Sequence, residues 1–184
     1  MQLVSIAVVA CLLLSNVSAV AHGLTLDSSS VKADGWLSAK EEYSGHGCVG
    51  GNISPALSWS GAPADTKSFA VTLFDPDARA GQGWWHWGVI NIPPTVHALS
   101  EDAGNRSGTH LPPGAVQVRT SFGDSAYGGA CPPVGDKPHR YVFTVYAMKV
   151  ARIDLASSAS AVSASLFINA NALDRATLVA RYSR

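Results

Sequence analysis

Apolar residues along the chain come in short runs separated by Gly and Pro. The runs "KSFAVTLFD" (67–75), "WWHWGVINI" (84–92) and "HRYVFTVYAM" (139–148) carry β-branched or aromatic residues at odd and even positions alike. Successive side chains of a strand point to opposite faces. Tyr141, Phe143 and Val145 therefore share one face, and Val142, Thr144 and Tyr146 the other. A strand apolar on both faces is covered twice, which predicts inner strands for these runs. "NIPPT", "LPPGA" and "CPPVGDKPH" end or bend them, because proline cannot donate to a ladder. One segment departs from this pattern. "SSASAVSASLFINANALDRA" (157–176) is rich in Ala and Leu, with Val162, Leu166 and Leu173 near helical spacing and Ser157 or Ser158 as a candidate cap. A helix is expected there, followed by a last strand "TLVARYS".

The N-terminus reads differently again. Leu3 to Leu14 is almost continuously apolar but too short to cross a bilayer comfortably, and small residues ending Ala19-Val20-Ala21 follow it. This predicts a signal peptide over 1–21, although no Lys or Arg precedes the apolar run, and a single mature domain over 22–184. The protein is then periplasmic or secreted. Its 184 residues are enough for one domain with a real core. Thirteen Lys and Arg balance thirteen Asp and Glu with no basic run, which argues against a nucleic-acid partner. Removal of the signal leaves Cys48 and Cys131. Two thiols in an exported chain are most simply one disulfide. It closes a long loop, for which the chain-entropy model gives about 4–5 kcal/mol. Neither cysteine has a second one two to four residues away, so a structural zinc site is disfavoured.

Six histidines occur. His22, His46, His97 and His110 lie in loop-like stretches and read as solvated or capping residues. His86 and His139 each border a strongly apolar strand with acids and prolines nearby. Gly128-Gly129 allows close backbone approach, and Pro132-Pro133 makes a stiff wall before His139. Asp75 is a candidate to hold one nitrogen of His139 and so set its tautomer. Three other readings compete. "GDSAYGG" is a broken serine-protease motif, with Ala126 and Tyr127 where the oxyanion loop needs glycine. Asp75, Asp77, His86 and His139 have the donor atoms of a metal-dependent hydrolase, but their spacing matches no ligand pattern. A module binding other proteins through its loops, such as a protease inhibitor, is the third.

Taken together, "DPDA", "WWHW", "GGACPP" and "GDKPHRYVFTVYA", with "GGNISPALSWSGAP" and "ANALDRATLVARYS" on either side, resemble the phosphatidylethanolamine-binding protein family. Within it, the likeness is to the bacterial periplasmic, Raf-kinase-inhibitor-like branch, and it spans the whole mature chain. The resemblance implies a mainly β fold: an antiparallel β-sandwich of one large and one smaller sheet, with short helices near the C-terminus. It implies a small anion pocket at one end of the sheet, formed here by Asp75, Asp77, His86, Pro133, His139 and Tyr141. The implied ligand is a small anion or a phosphate-bearing head group, with no cofactor, no metal and no catalysis. A homodimer and a protein partner are further implications. In this setting His86 and His139 would donate ring N–H groups, Tyr141 a hydroxyl, and the Gly-rich loop its backbone N–H groups. The carboxylates would orient the imidazoles and favour their protonation, and the tryptophans would form dry walls. Two departures from the family pattern stand out. Arg79 replaces a common proline after "DPDA", which predicts a more positive and more mobile rim. Trp85 stands where animal members have a second histidine.

Overall fold

The computed structural model describes residues 23–156 and 158–184; the expected signal segment and the candidate cap Ser157 lie outside them. Eleven strands are present among the described residues: β1 (Thr25–Asp27), β2 (Gly35–Trp36), β3 (Ser44–Gly45), β4 (Cys48–Val49), β5 (Leu57–Ser60), β6 (Ser68–Asp75), β7 (Trp84–Ile92), β8 (Ala98–Leu99), β9 (Val116–Gln117), β10 (His139–Met148) and β11 (Ala172–Tyr182). The large sheet runs β2-β11-β10-β6-β7-β9. It is antiparallel except for the short parallel pair β2–β11, so it is mixed rather than wholly antiparallel. A smaller antiparallel sheet, β1-β5-β8, and a β3–β4 ribbon complete the set.

The two-faced apolar runs are the three central strands, as expected. On one face, Phe69, Val71, Leu73, Trp87, Val89, Tyr141, Phe143 and Val145 pack with Leu26, Leu57, Trp59 and Leu99 of the small sheet. On the other, Ala70, Ile90, Tyr146 and Met148 pack under the helix Ala161–Asn171. Removal of this apolar surface from water, at about 25 cal/mol per Å², is what makes the sandwich stable.

The helix corrects the sequence reading in detail. Its cap is Ser160, whose Oγ accepts from Ser163 N at 3.2 Å. It is shorter than expected, since β11 begins at Ala172. Its buried residues are Ala161, Ala164 and Ile168, whereas Val162 and Leu166 are 56% and 69% exposed. The helix lies over Gly88, where an added Cβ would stand 3.9 Å from that of Ala161; the row Ala161, Ala164 and Ile168 faces the sheet, and Val162 and Leu166 turn outward.

Two crosslinks hold the end of the sheet where β6 stops and β10 starts. Cys48 and Cys131 form the expected disulfide, with Cα atoms 6.0 Å apart across 83 positions of sequence. It ties the β3–β4 ribbon to the proline-rich segment before β10. Asp77, just past β6, accepts from Arg140 through both carboxylate oxygens, Nε to Oδ2 at 2.9 Å and Nη2 to Oδ1 at 2.7 Å, and also from the Arg140 backbone N–H. The Arg140 guanidinium holds the Asp77 carboxyl down at about 2.

Replacing Cys48 and Cys131 by Ser is expected to lower stability by about 2–5 kcal/mol, read from urea denaturation; an unchanged midpoint contradicts the tie. The Asp77 carboxyl is lower in the folded chain than its ordinary 3.8. Its contribution is therefore complete above about pH 4 and lost as pH falls through about 2. The pair is partly solvated, so at neutral pH Arg140→Ala is expected to cost less than about 1 kcal/mol. The variant's stability should fall less steeply than that of the natural protein between pH 4 and 2; parallel acid limbs contradict the pairing.

Candidate functional site

Strand order explains why distant residues meet. With β10, β6 and β7 adjacent and antiparallel, the end of β6 lies beside the starts of β7 and β10. Asp75, Trp84, His86, His139 and Tyr141 therefore collect at one end of the sheet. A bulge refines this placement. Leu73 pairs with Trp87 and Phe74 with Trp85, leaving His86 as the extra residue. Such bulges re-aim side chains. Here His86 and the next residue, Trp87, both meet tyrosines of the main core, at ring-centroid distances of 5.2 Å to Tyr141 and 5.8 Å to Tyr127.

Asp75 is buried and fully engaged. Its Oδ2 accepts from His139 Nδ1 at 2.8 Å, and its Oδ1 from the backbone N–H groups of Asp77 at 2.8 Å and Ala78 at 3.1 Å. The role of imidazole holder expected from sequence is thus realised in this geometry. His86 is set differently. Its Nδ1 donates to the carbonyls of Gly128 at 2.8 Å and Gly129 at 3.1 Å. Carbonyls only accept, so the proton is on Nδ1. The other nitrogen, Nε2, lies 4.0 Å from Asp75 Oδ2. Burial pushes His86 below the ordinary histidine range and outweighs the upward pull of the Gly128 carbonyl and of Asp75. The nearby carboxylate thus pulls in the expected direction, but burial outweighs it for this ring.

The glycine loop also acts differently from the expectation. The Gly128 N–H donates to the His86 carbonyl at 2.8 Å and the Gly129 N–H to Asn52 Oδ1 at 2.8 Å. Neither is free for a ligand; the loop contributes its carbonyls, to His86. Close approach is nevertheless the reason for both glycines. A Cβ on Gly128 would strike the Phe122 ring, and one on Gly129 the backbone of Glu41, Glu42 and Tyr43.

Asp75, His86, His139 and Tyr141 line a cleft of about 540 Å³, together with Asp77 and Pro133. All six expected residues are brought together, although Asp77 turns its oxygens to Arg140. Two buried donors in the wall have no partner: the Tyr141 hydroxyl and Trp84 Nε1. The Cys131 backbone N–H and Asp75 lie near the hydroxyl without reaching hydrogen-bond geometry. Burial first, then the Asp75 charge, pushes the Tyr141 hydroxyl well above the usual phenol range, so it keeps its proton. Of the three clustered tryptophans only Trp84 lines the cleft. Trp85 packs against Phe74 at 4.6 Å, and Trp87 is a core residue donating to Gln117 Oε1 at 2.7 Å.

Several wall residues escaped the sequence reading. His46 is in the cleft, not simply solvated, and Phe122, Asp136 and Arg184 join it. Arg184 is braced by the carbonyls of Pro132 at 2.8 Å and Gly47 at 2.6 Å. Only Cys131 pointed to this wall in advance, since the disulfide carries residues 46–48 to it. Arg79 adds positive charge to the rim; it has φ 51° and ψ 48°, and its guanidinium carbon lies 5.7 Å from the Trp84 ring centre.

Residues 27–183 match the sequence profile described as phosphatidylethanolamine-binding protein. The chain is 50% identical over 165 residues to the UPF0098 protein YbcL of Escherichia coli K12, covering 90% of each. It is 40% identical over 160 residues to YbhB of the same organism, covering 87% of this chain and all of that one. The crystal structure of E. coli YbcL, described as a new member of the mammalian PEBP family, superposes with a TM-score of 0.86 at 49% identity, over 89% of this chain and 99% of that one. The sequence match, the fold and the order of the motifs agree: the chain belongs to the phosphatidylethanolamine-binding protein family.

Proposed function

We propose that this is an exported, non-enzymatic binding protein whose cleft takes a small anion or a phosphate-bearing head group. The observation that carries the reading is the pair of unpaired donors, Tyr141 Oη and Trp84 Nε1, in the wall of a cleft that also holds His86 and His139. A buried donor without an acceptor costs about 1–3 kcal/mol. Two of them in one opening are relieved by a ligand that brings oxygen acceptors. Cations nearby favour a negative ligand. Arg79 and Arg184 line the cleft, and Lys137 and Arg181 line an adjoining groove.

Catalysis through a metal is the weaker reading. Asp75 is occupied by three donors, His139 has given Nδ1–H to it, and Asp77 is held by Arg140. These groups are hydrogen-bonded to one another rather than turned toward a common point. Export is supported by the N-terminal apolar segment with its small-residue end and by a disulfide, a bond of oxidising compartments. The reading extends to a protein partner or a second copy of the chain, for which the exposed helix residues Val162, Leu166 and Phe167 offer an apolar surface.

Tyr141→Phe tests the binding role. The variant loses a hydroxyl that has no partner in the free protein, so its stability should stay level or rise by up to about 1 kcal/mol. Its affinity for O-phosphoethanolamine, measured by calorimetry at pH 7.5, should fall by about 10-fold or more. Unchanged affinity, or no binding by the natural protein, contradicts the proposal.

A further inference from the structure

Beside the cleft, on the opposite face of the large sheet, three side chains form a row across strands. Trp36 of β2 pairs with Arg181 of β11, and Arg181 pairs with Arg140 of β10. Residues paired in this way share a face of the sheet. His139 and Tyr141 are buried on the cleft side, so Arg140 between them points the other way, and Arg181 and Trp36 point with it. All three are exposed, Trp36 at 57%.

Two features of this row are unfavourable in an isolated molecule. Arginines directly opposite each other repel, and an exposed indole keeps a large apolar area in water. Asp77 compensates Arg140 alone, since both its oxygens are taken by that guanidinium. Lys137 joins Arg140 and Arg181 around a groove of about 700 Å³. The other carboxylate of the groove, Asp136, lies with Oδ2 3.5 Å from His139 Nε2. Among the described residues neither Lys137 nor Arg181 makes an ion pair. Overall basicity does not explain the cluster, because the chain as a whole is neutral. Val134, three residues before Lys137, is 76% exposed and adds a second apolar group to the same loop.

Trp and Arg are the residues that most often carry the energy of a protein interface. Their spacing here fixes what fits. Neighbouring strands lie about 4.8 Å apart, and alternate side chains of an extended chain about 6.6 Å apart. An extended segment crossing the strands therefore brings alternate residues opposite successive members of the row. We infer that this row and groove dock an extended acidic segment of another protein, with carboxylates on Arg181 and Lys137 and an apolar side chain on Trp36. The cations line a groove, which a chain can enter and the surface of a bilayer cannot. The inference rests on the protein-partner part of the reading above, takes a different surface from the exposed helix residues, and does not need the cleft to hold a ligand.

Fluorescence anisotropy with a labelled nine-residue peptide, four Glu, one Leu and four Glu, tests it at about 50 mM salt, with the same peptide carrying Gln for Glu as reference. The natural protein should bind the Glu peptide at least about 10-fold more tightly than the Gln peptide, and about 300 mM salt should abolish most of the difference. Arg181→Glu should weaken binding by about 10-fold, and Trp36→Ala by about threefold or more. Arg175→Glu, exposed on the same strand but outside the groove, should change it less than twofold. Equal losses in Arg181→Glu and Arg175→Glu overturn the inference, because the attraction is then not localised. So does equal binding of the two peptides, or binding of neither. Capture by phosphatidylglycerol vesicles without binding of the Glu peptide overturns it in favour of a lipid surface. Affinity for O-phosphoethanolamine, measured on the same protein, keeps the two proposals apart: peptide binding lost with that affinity retained rejects this inference alone, and the converse rejects the cleft reading alone.

Discussion

The hydrogen bond between Asp75 Oδ2 and His139 Nδ1, 2.8 Å long and buried, is the contact on which the site depends. It joins residues 64 positions apart and ties the end of one central strand to the start of its neighbour. A lone carboxylate at that depth would be expensive to bury. Here the two backbone N–H groups after it and the imidazole satisfy it. That arrangement lets the chain turn sharply from β6 toward Arg79 while Asp77 reaches Arg140. Removing the carboxylate would leave an imidazole nitrogen and two backbone donors without partners at one end of the sheet.

Around that contact the site follows a consistent logic of hydrogen bonding. Groups that must be fixed are paired with protein: Asp75 with His139, His86 with the Gly128 and Gly129 carbonyls, Asp77 with Arg140. Groups left unpaired, Tyr141 Oη and Trp84 Nε1, belong to residues that line the cleft with Asp75, Asp77, His86 and His139. A folded chain rarely leaves buried donors without acceptors. Their placement beside two held imidazoles is the main physical argument for a ligand. The disulfide and Pro132-Pro133 then hold one wall against the ribbon that carries His46, so the cleft is shaped before anything enters it.

Much of this was legible in the sequence. Apolar residues on both faces of three runs located the sheet centre, and the turn residues around Asp75 and before His139 located its end. Both histidines, Asp75 as a holder and the single disulfide follow from residue chemistry and export logic. What escaped has specific causes. The buried row of the helix escapes the sequence because Val162, Leu166 and Leu173 outweigh Ala161 and Ala164 in apolarity, while the row that packs is Ala161, Ala164 and Ile168. The wall residue His46 sits on a two-strand ribbon whose position is set by a bond to Cys131, not by any periodicity. The bulge at His86 shifts the phase of β7, so alternation could not say which tryptophan opens to the cleft. Nor could composition say that the glycine loop offers carbonyls rather than N–H groups, a distinction that reverses the polarity of His86 from donor to acceptor.

That reversal is the central claim, and nitrogen-15 NMR reads it directly. In uniformly labelled protein at pH 7.5, the two-bond correlations of the His86 ring should show a neutral imidazole with Nδ1 protonated and Nε2 bare. A His86 ring found as imidazolium, or with its single proton on Nε2, would contradict the account.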